Sequence, residues 1–216
     1  MKAILLGSTG LVGHFLLTEL LNDSDFTEIE LFSRRSLGLN SPKIKERIGD
    51  LLSEDFWPQS LEADAVFVCV GTTKSKTSNQ ETYRAIDFGI PLKAAELSKK
   101  GRVNHFSVVS SLGANVRASN FYLKTKGQME EAISALNLKG AHFLRPSMIL
   151  GPRKEKRLGE NIGKFFFDKL SFIIPSKYQG VEAMHIAKAM MALAKGQKAT
   201  QVIESKDIAK IADYDA

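Results

Sequence analysis

The sequence predicts an α/β fold organised around a doubly wound parallel sheet. Three observations predict it. Short apolar runs alternate with longer segments of helical period, the run AVFVCV is apolar at every position, and the first apolar run leads straight into a glycine-rich turn. Strands alternating with helices are the pattern of right-handed crossovers. Near-continuous apolar strands suit a parallel sheet covered on both faces.

Taken in order, strands are predicted at Lys2 to Leu6, Ile29 to Phe32, roughly Ile44 to Ile48, Ala65 to Val70, Asn104 to Val109 and Ala141 to Leu144. Helices are predicted between them at Leu11 to Leu21, about Gln80 to Lys99 and about Ser119 to Leu136. The second helix carries Ala85, Ile86, Ile90, Ala94 and Leu97 as a core-facing stripe, interrupted by Pro91, where a kink or break is expected. Beyond Leu150 the texture changes to a charged loop, GPRKEKRLGE, and an aromatic-rich segment, KFFFDKLSFIIP. A helix from about Val181 to Lys195, a short strand at Gln201 to Ile203 and a terminal helix follow. The expectation is a single domain over residues 1–216, with about 151–216 as a small C-terminal cap.

Length and charge narrow the function classes. A chain of 216 residues, 44% hydrophobic and 25% charged, has the composition of a globular protein and excludes disordered, collagen-like and coiled-coil classes. The single cysteine, Cys69, excludes an internal disulfide framework and a multi-cysteine zinc site. The four histidines, His14, His105, His142 and His185, lack metal-ligand spacing, so no metal is expected. A net charge of +6 admits an anionic partner, but phosphate-bearing cofactors are anions too, so nucleic acid is not singled out. No apolar run reaches the length of a membrane span. The chain passes from Met1 and Lys2 into AILLG without room for a signal peptide, which predicts a cytoplasmic location.

The turn after the first strand reads GSTGLVG, comprising Gly7, Ser8, Thr9, Gly10, Leu11, Val12 and Gly13. Its glycines fall at GxxGxxG spacing and open a helix. Gly7 permits a tight turn, Gly10 lets backbone approach a pyrophosphate, and Gly13 lets the helix pack closely on the sheet. The helix N-terminus offers N–H groups and the positive end of its dipole to phosphate. A plain tight turn is the alternative, but the strand before and helix after supply the context a dinucleotide site needs.

NAD-binding proteins place an acid at the end of the second strand, for the ribose 2′-hydroxyl. Here the tip reads Ser33, Arg34, Arg35. Two guanidiniums in place of a carboxylate favour a 2′-phosphate, hence NADP(H) over NAD(H), against the plainer reading of a solvated basic turn. Asp50 and Leu51 after the third strand are placed to flank adenine. Val70 and Gly71 end the fourth strand, with Thr72 and Thr73 within reach of ribose or pyrophosphate. Tyr122 and Lys126 stand at YxxxK spacing, on one face of the predicted helix. An ammonium beside a phenol favours the phenolate, which suits proton transfer. Ser110 and Ser111 end the fifth strand upstream, and a hydroxyl at either position is placed to hold a substrate oxygen.

With GSTGLVG, SRR, VGTT, SSLGA, YLKTK and LRPSMILGPR in this order, the chain resembles an atypical short-chain dehydrogenase/reductase. It is similar to the small group of NADPH-binding oxidoreductases that includes the human HIV Tat-interacting protein. The likeness runs from Lys2 to about Ala212 and is strongest up to Arg157. It implies a Rossmann-like fold, bound NADPH and a Ser–Tyr–Lys set at Ser110 or Ser111, Tyr122 and Lys126. It also implies nucleotide contacts at Thr9, Gly10, Leu11, Val12, Arg34, Arg35, Val70, Gly71, Ile149 and Arg157. Arg145 and Pro146 match the strand-six pair that leads into the nicotinamide-side loop.

The function expected is an NADPH-dependent oxidoreductase moving hydride to or from a small carbonyl or alcohol, with Tyr122 as proton donor or acceptor. The alternative is an NADP(H)-binding redox sensor or regulatory protein with little turnover. A nucleic-acid binder rests on net charge alone and is not expected. The expected assembly is a monomer or homodimer. Cys69 reads as a small buried hydrophobe. Phe165, Phe166, Phe167 and Phe172 read as packing of the cap, with a substrate pocket or a dimer contact as the alternative, and Arg153, Lys154, Lys156 and Arg157 as a solvated loop from which Arg157 could fold over a cofactor phosphate.

Overall fold

The computed structural model describes residues 1–73, 75–152 and 180–213. Seven parallel strands form the main sheet in the order β3-β2-β1-β4-β5-β6-β9. They are β1 (Lys2–Leu6), β2 (Glu28–Ser33), β3 (Ile44–Ile48), β4 (Ala65–Val68), β5 (His105–Val109), β6 (Ala141–Arg145) and β9 (Val202–Glu204). The order reverses between β1 and β4, and the crevice at such a reversal is where doubly wound sheets bind ligands. This is the predicted fold class.

The two-residue side-chain period of each strand divides the core. Ala3, Leu5 and Phe67 face one layer, while Ile4, Leu6, Val66 and Val68 face the other. The first layer holds α1 (Leu11–Asn22), α5 (Ala183–Ala194) and α6 (Ser205–Ala212). Leu16 and Leu20 of α1 meet Ala187 and Met190 of α5 over the sheet. The second layer holds α3 (Ile90–Lys100) and α4 (Phe121–Ala135), which bury Ala94, Leu97, Met129 and Ile133. Each fully buried leucine, isoleucine or methionine among them contributes about 1.5–3 kcal/mol.

Three elements differ from expectation, each for a physical reason. The predicted fourth strand ends at Val68, because Cys69 and Val70 turn out of the ladder beside Gly7. The helix expected over Gln80 to Lys99 is not broken at Pro91, and its irregularity falls in the turn before the proline. It runs as α2 (Gln80–Arg84), a π-helical turn (Ala85–Gly89) and α3, with Pro91 in the first turn of α3. Proline has no N–H to give and its ring crowds the carbonyl one turn back. Widening the preceding turn accommodates both. The helix expected from Val181 starts instead at Ala183, because β8 (Val181–Glu182) pairs in parallel with β7 (Ile149–Leu150).

The C-terminal region expected as a cap contributes, in its described part, the edge strand β9 and the packed helices α5 and α6. Arg157, the basic residues Arg153, Lys154 and Lys156, and Phe165, Phe166, Phe167 and Phe172 lie outside the described residues. Among the described residues no helix is long and apolar enough to cross a membrane.

Candidate functional site

The carboxyl ends of β1, β4, β5 and β6 converge on one edge of the sheet, and the turns leaving them carry most of the predicted residues. At β1, Gly7 adopts φ +90°. A Cβ there would stand 2.7 Å from the Cys69 carbonyl carbon and 2.8 Å from the Val70 nitrogen, so only glycine lets β1 and β4 separate this closely. A Cβ on Gly13 would stand 2.1 Å from the Gly7 carbonyl oxygen, and its absence brings α1 down onto the loop. Gly10 is the N-cap of α1 and supplies no side-chain hydrogen bond, which leaves the helix end to a ligand. Ser8 Oγ is buried with no hydrogen-bond partner among the described residues. Such an orphan is uncommon and marks a place for an acceptor. Thr9 and Gly10 are exposed at the rim, Leu11 is half-buried, and Val12 packs inward.

At the tip of β2, Arg34 and Arg35 are both exposed, and neither has an ion pair among the described residues. Across from them Asp50 is exposed and accepts from the Leu52 N–H. Leu51 is buried in the core, its carbonyl accepting from Trp57 Nε1 at 3.1 Å.

The most tightly organised part lies between the β4 turn and α4. Lys126 is almost wholly buried, with Nζ 3.1 Å from Asp87 Oδ1 and donating to the Val109 carbonyl at 3.2 Å. The other oxygen of Asp87 accepts from the Thr72 N–H at 2.8 Å. Tyr83 donates to the Thr72 carbonyl at 3.3 Å, and Thr72 and Thr77 share a hydroxyl hydrogen bond of 2.9 Å. Thr73 is bonded to Ser75. One buried carboxylate thus ties the turn holding Gly71, Thr72 and Thr73 to the lysine of the YxxxK pair. Asp87 was not a predicted site residue. It sits inside the π-helical turn, and such turns gather at functional sites. The interrupting proline was the available signal.

The α4 N-terminus is capped by Asn120, whose Oδ1 accepts from the Leu123 N–H at 3.2 Å. This sets the first turn, with half-buried Tyr122 one turn before Lys126. A Cβ on Gly127 would stand 2.3 Å from the Asn115 carbonyl carbon, so α4 lies hard against the loop that follows Ser111.

The neighbouring serines separate. Ser110 Oγ donates to Glu130, which also receives Nε (2.9 Å) and Nη2 of Arg145. Arg145 Nη1 reaches Glu204 at 3.1 Å. Ser111 is buried, and among the described residues its hydroxyl makes only a long contact, 3.4 Å, to the Leu112 carbonyl. The guanidinium of Arg145 is therefore engaged by carboxylates rather than directed to the strand-end crevice. Its neighbour Pro146 is buried, and the Pro146 carbonyl accepts from the Leu112 N–H at 3.0 Å, joining the β5 and β6 turns. Beyond it Ile149 and Leu150 run beside α1, where Gly151 backs onto Leu11. A cleft of about 310 Å³ lies on the far flank of α4, lined by Asn115, Glu130, Glu131 and Arg145. Cys69 lies 3.9 Å from the Met190 sulfur, and burial pushes its thiol up to about 12. Among the described residues no cluster of metal-ligating side chains occurs.

A parallel sheet in this order, with a glycine cradle at its reversal and an orphaned hydroxyl inside the cradle, defines a dinucleotide-binding protein of the Rossmann kind. A family described as NAD(P)H-binding matches residues 7–164, and the chain belongs to that family. Among curated relatives, protein FMP52-1, mitochondrial, of Scheffersomyces stipitis is 38% identical over 162 residues, covering 73% of this chain and 71% of the relative. Protein HTATIP2 of Rattus norvegicus is 30% identical over 213 residues, covering 96% and 87% respectively. These relatives bear out the resemblance to atypical short-chain dehydrogenase/reductases drawn from the motifs. Among solved structures, MoeE5 in complex with UDP-glucuronic acid and NAD superposes with a TM-score of 0.70 at 19% identity, covering 94% of this chain and 75% of that one. UDP-glucuronic acid 4-epimerase from Bacillus cereus in complex with NAD does so with a TM-score of 0.71 at 17% identity, covering 95% and 78%. Likeness at that identity is likeness of fold.

The chain thus carries an NAD(P)H-binding domain, with a nicotinamide dinucleotide as its cofactor class. The expected cytoplasmic location is corrected by the same comparisons. The relatives from Scheffersomyces stipitis, Debaryomyces hansenii and Candida albicans are named mitochondrial, which points away from the cytoplasm. Mitochondrial targeting is read from other features than a signal-peptide pattern, so that pattern was too narrow a basis for the expectation.

Proposed function

We propose that this protein is an NADP(H)-dependent oxidoreductase that transfers hydride to or from a small carbonyl or alcohol. The observation that carries the reading is the placement of Tyr122 and buried Lys126 on α4, at the end of β5 and on the same sheet edge as the glycine cradle. The cofactor, when bound, supplies the hydride chemistry. The chain's own residues position and protonate.

In this reading the cradle of Gly7, Gly10 and Gly13 with the α1 N-terminus receives the pyrophosphate, and Ser8 Oγ gains its missing partner there. Arg34 and Arg35 meet the 2′-phosphate, a contact that planar guanidiniums make with paired hydrogen bonds. Leu51 with Asp50 borders the adenine. Val70, Gly71, Thr72, Thr73, Pro146 and Ile149 border the ribose and nicotinamide half, and Arg145 contributes through its backbone because its guanidinium is held by Glu130 and Glu204. Lys126 holds ribose hydroxyls and sets the field at Tyr122, which gives or takes the proton. Ser111 is assigned the substrate oxygen, since Ser110 is committed to Glu130.

A second reading, an NADP(H)-binding regulator with little turnover, draws on one observation. The Lys126 ammonium is paired with Asp87, and a compensated charge offers a weaker field to a neighbouring phenol.

Two measurements test these readings. Calorimetric titration is expected to give NADPH at least tenfold tighter than NADH, and Arg34→Ala with Arg35→Ala to remove the difference. Equal affinities in the parent protein would end the NADP(H) reading. A screen of small aldehydes, ketones and quinones, followed by NADPH absorbance, is expected to find a substrate consumed by the parent. Tyr122→Phe is expected to reduce that turnover by about 10²-fold or more, with NADPH affinity unchanged. Tight NADPH binding without consumption of any of them would favour the regulator.

A further inference from the structure

The turn that carries Arg34 and Arg35 is held from one side by a residue of β3 that no motif marks. Glu46 Oε1 accepts from the Leu37 N–H at 2.7 Å, and Oε2 accepts from Ser36 Oγ at 2.5 Å. The same serine oxygen accepts from the Gly38 N–H at 3.0 Å, and Gly38 takes φ +65°, which lets the chain reverse at once. On the other side of the arginines, Ser33 Oγ donates to the Arg35 carbonyl at 2.9 Å, and the Ser33 carbonyl accepts from the Gly49 N–H at 3.0 Å. The backbone of Arg34 and Arg35 is therefore pinned before and after the pair, while both side chains stand exposed.

The charges of β3 make the arrangement more telling. Lys45 and Arg47 pair across the sheet with Glu28 (2.8 Å) and Glu30 (3.3 Å). Glu46, between them, pairs with no cation among the described residues. Its charge is taken up by an N–H and a hydroxyl of the turn, and these bonds hold the carboxyl below the usual carboxylate range, the Leu37 N–H most strongly. The carboxylate that reaches the arginine turn is thus engaged by the Leu37 N–H and the Ser36 hydroxyl and leaves both guanidiniums without a counterion among the described residues. Cations fixed in place and lacking a protein counterion are preorganised for a phosphate dianion, because little ordering remains to be done on binding.

We propose that Glu46 is a positioning residue for the coenzyme 2′-phosphate: by clamping Ser36 and Leu37 it presents Arg34 and Arg35 to that phosphate and sets the preference for NADP(H) over NAD(H). This rests on the NADP(H) reading given above.

The test titrates the full-length protein and its variants with NADPH, NADH and 2′,5′-ADP. Binding is followed through the fluorescence of Trp57, the single tryptophan, which is bonded to the Leu51 carbonyl beside the adenine position proposed above. Glu46→Ala is expected to weaken NADPH and 2′,5′-ADP by about tenfold and to leave NADH within about twofold. Glu46→Gln, which keeps an acceptor for the Leu37 N–H, is expected to retain most of the preference. Ser36→Ala, a smaller truncation, is expected to move affinities in the same direction as Glu46→Ala and serves if that variant does not fold. A retained NADPH-to-NADH ratio in Glu46→Ala and Ser36→Ala overturns this inference alone. Tighter NADPH in Glu46→Ala also overturns it, because the carboxylate would then be opposing the phosphate. Equal NADPH and NADH affinities in the parent overturn the NADP(H) reading and the inference with it.

Discussion

Asp87 and Lys126 form a pair buried to within a few percent of completeness, and a buried charge left alone is far more costly than the pair is stabilising. Removing the carboxylate by Asp87→Ala leaves an ammonium facing only the Val109 carbonyl, and frees the Thr72 N–H as well. The expected loss is about 3–5 kcal/mol in urea unfolding. Asp87→Asn, which keeps an acceptor for Thr72, is expected to lose less. An unchanged unfolding midpoint for Asp87→Ala would mean the pair is not held in solution. At this scale the YxxxK pair was legible because i and i+4 share a helix face. Its carboxylate partner was not, since no local spacing links a mid-helix Asp87 to a lysine on another helix. Ser110 and Ser111 were equally plausible for a related reason: adjacent residues at a strand end diverge, and only the position of Glu130 shows which one is engaged.

Among the elements, α4 carries the proposed chemistry, and its start depends on one side chain. Asn120 closes the first turn through Leu123, and replacing a cap of this kind by alanine costs about 1 kcal/mol. Asn120→Ala is therefore expected to lower the melting midpoint by about 2–4 °C and to loosen the turn that holds Tyr122. Turnover of any identified substrate should fall while NADPH affinity, which the proposed reading draws mainly from the glycine cradle and the tip of β2, holds. A melting curve and a titration on the same preparation check both halves. The helix preceding it teaches a different lesson. Pro91 signalled an interruption, and the sequence pattern carried a break or kink as the natural consequence. The chain keeps the helix continuous and sets a π-helical turn just before the proline, within which Asp87 is buried. The choice depends on how α3 packs beneath β4 and β5, which local periodicity does not encode.

Over the whole molecule, two histidines on neighbouring strands, His105 of β5 and His142 of β6, are expected to contribute to the loss of stability in acid. His105 is bonded to Ser107 on β5, with its ring 5.8 Å from that of Phe67 and stacked 5.5 Å from that of His142. Burial pushes His105 down to about 3, with the neighbouring His142 adding to the shift. Burial also lowers His142, partly opposed by its bond to the Thr200 carbonyl. A histidine whose folded pKa lies below its unfolded value of ~6.5 binds protons more readily in the unfolded chain. The stability is therefore fully present above about pH 6.5 and is lost as pH falls toward 3, at roughly 1.4 kcal/mol per pH unit for His105. Urea midpoints measured from pH 7.5 to 4 should fall accordingly, and His105→Phe should flatten the fall. A slope unchanged by that substitution would assign the acid sensitivity elsewhere.

By itself the sequence determined the parallel sheet, its two helical layers, the glycine cradle, the basic tip of β2 and the spacing of Tyr122 with Lys126. All of these are set by contacts within one turn or one strand, where a period of two or 3.6 residues and the steric demands of glycine are written locally. The tertiary structure alone decided that Asp87 holds Lys126, that Glu130 takes Ser110 and Arg145, that Glu46 holds the arginine turn, and that residues after Leu150 complete the sheet. Those pairings join segments far apart in the chain, and which charges meet across them depends on packing that no short window of residues contains.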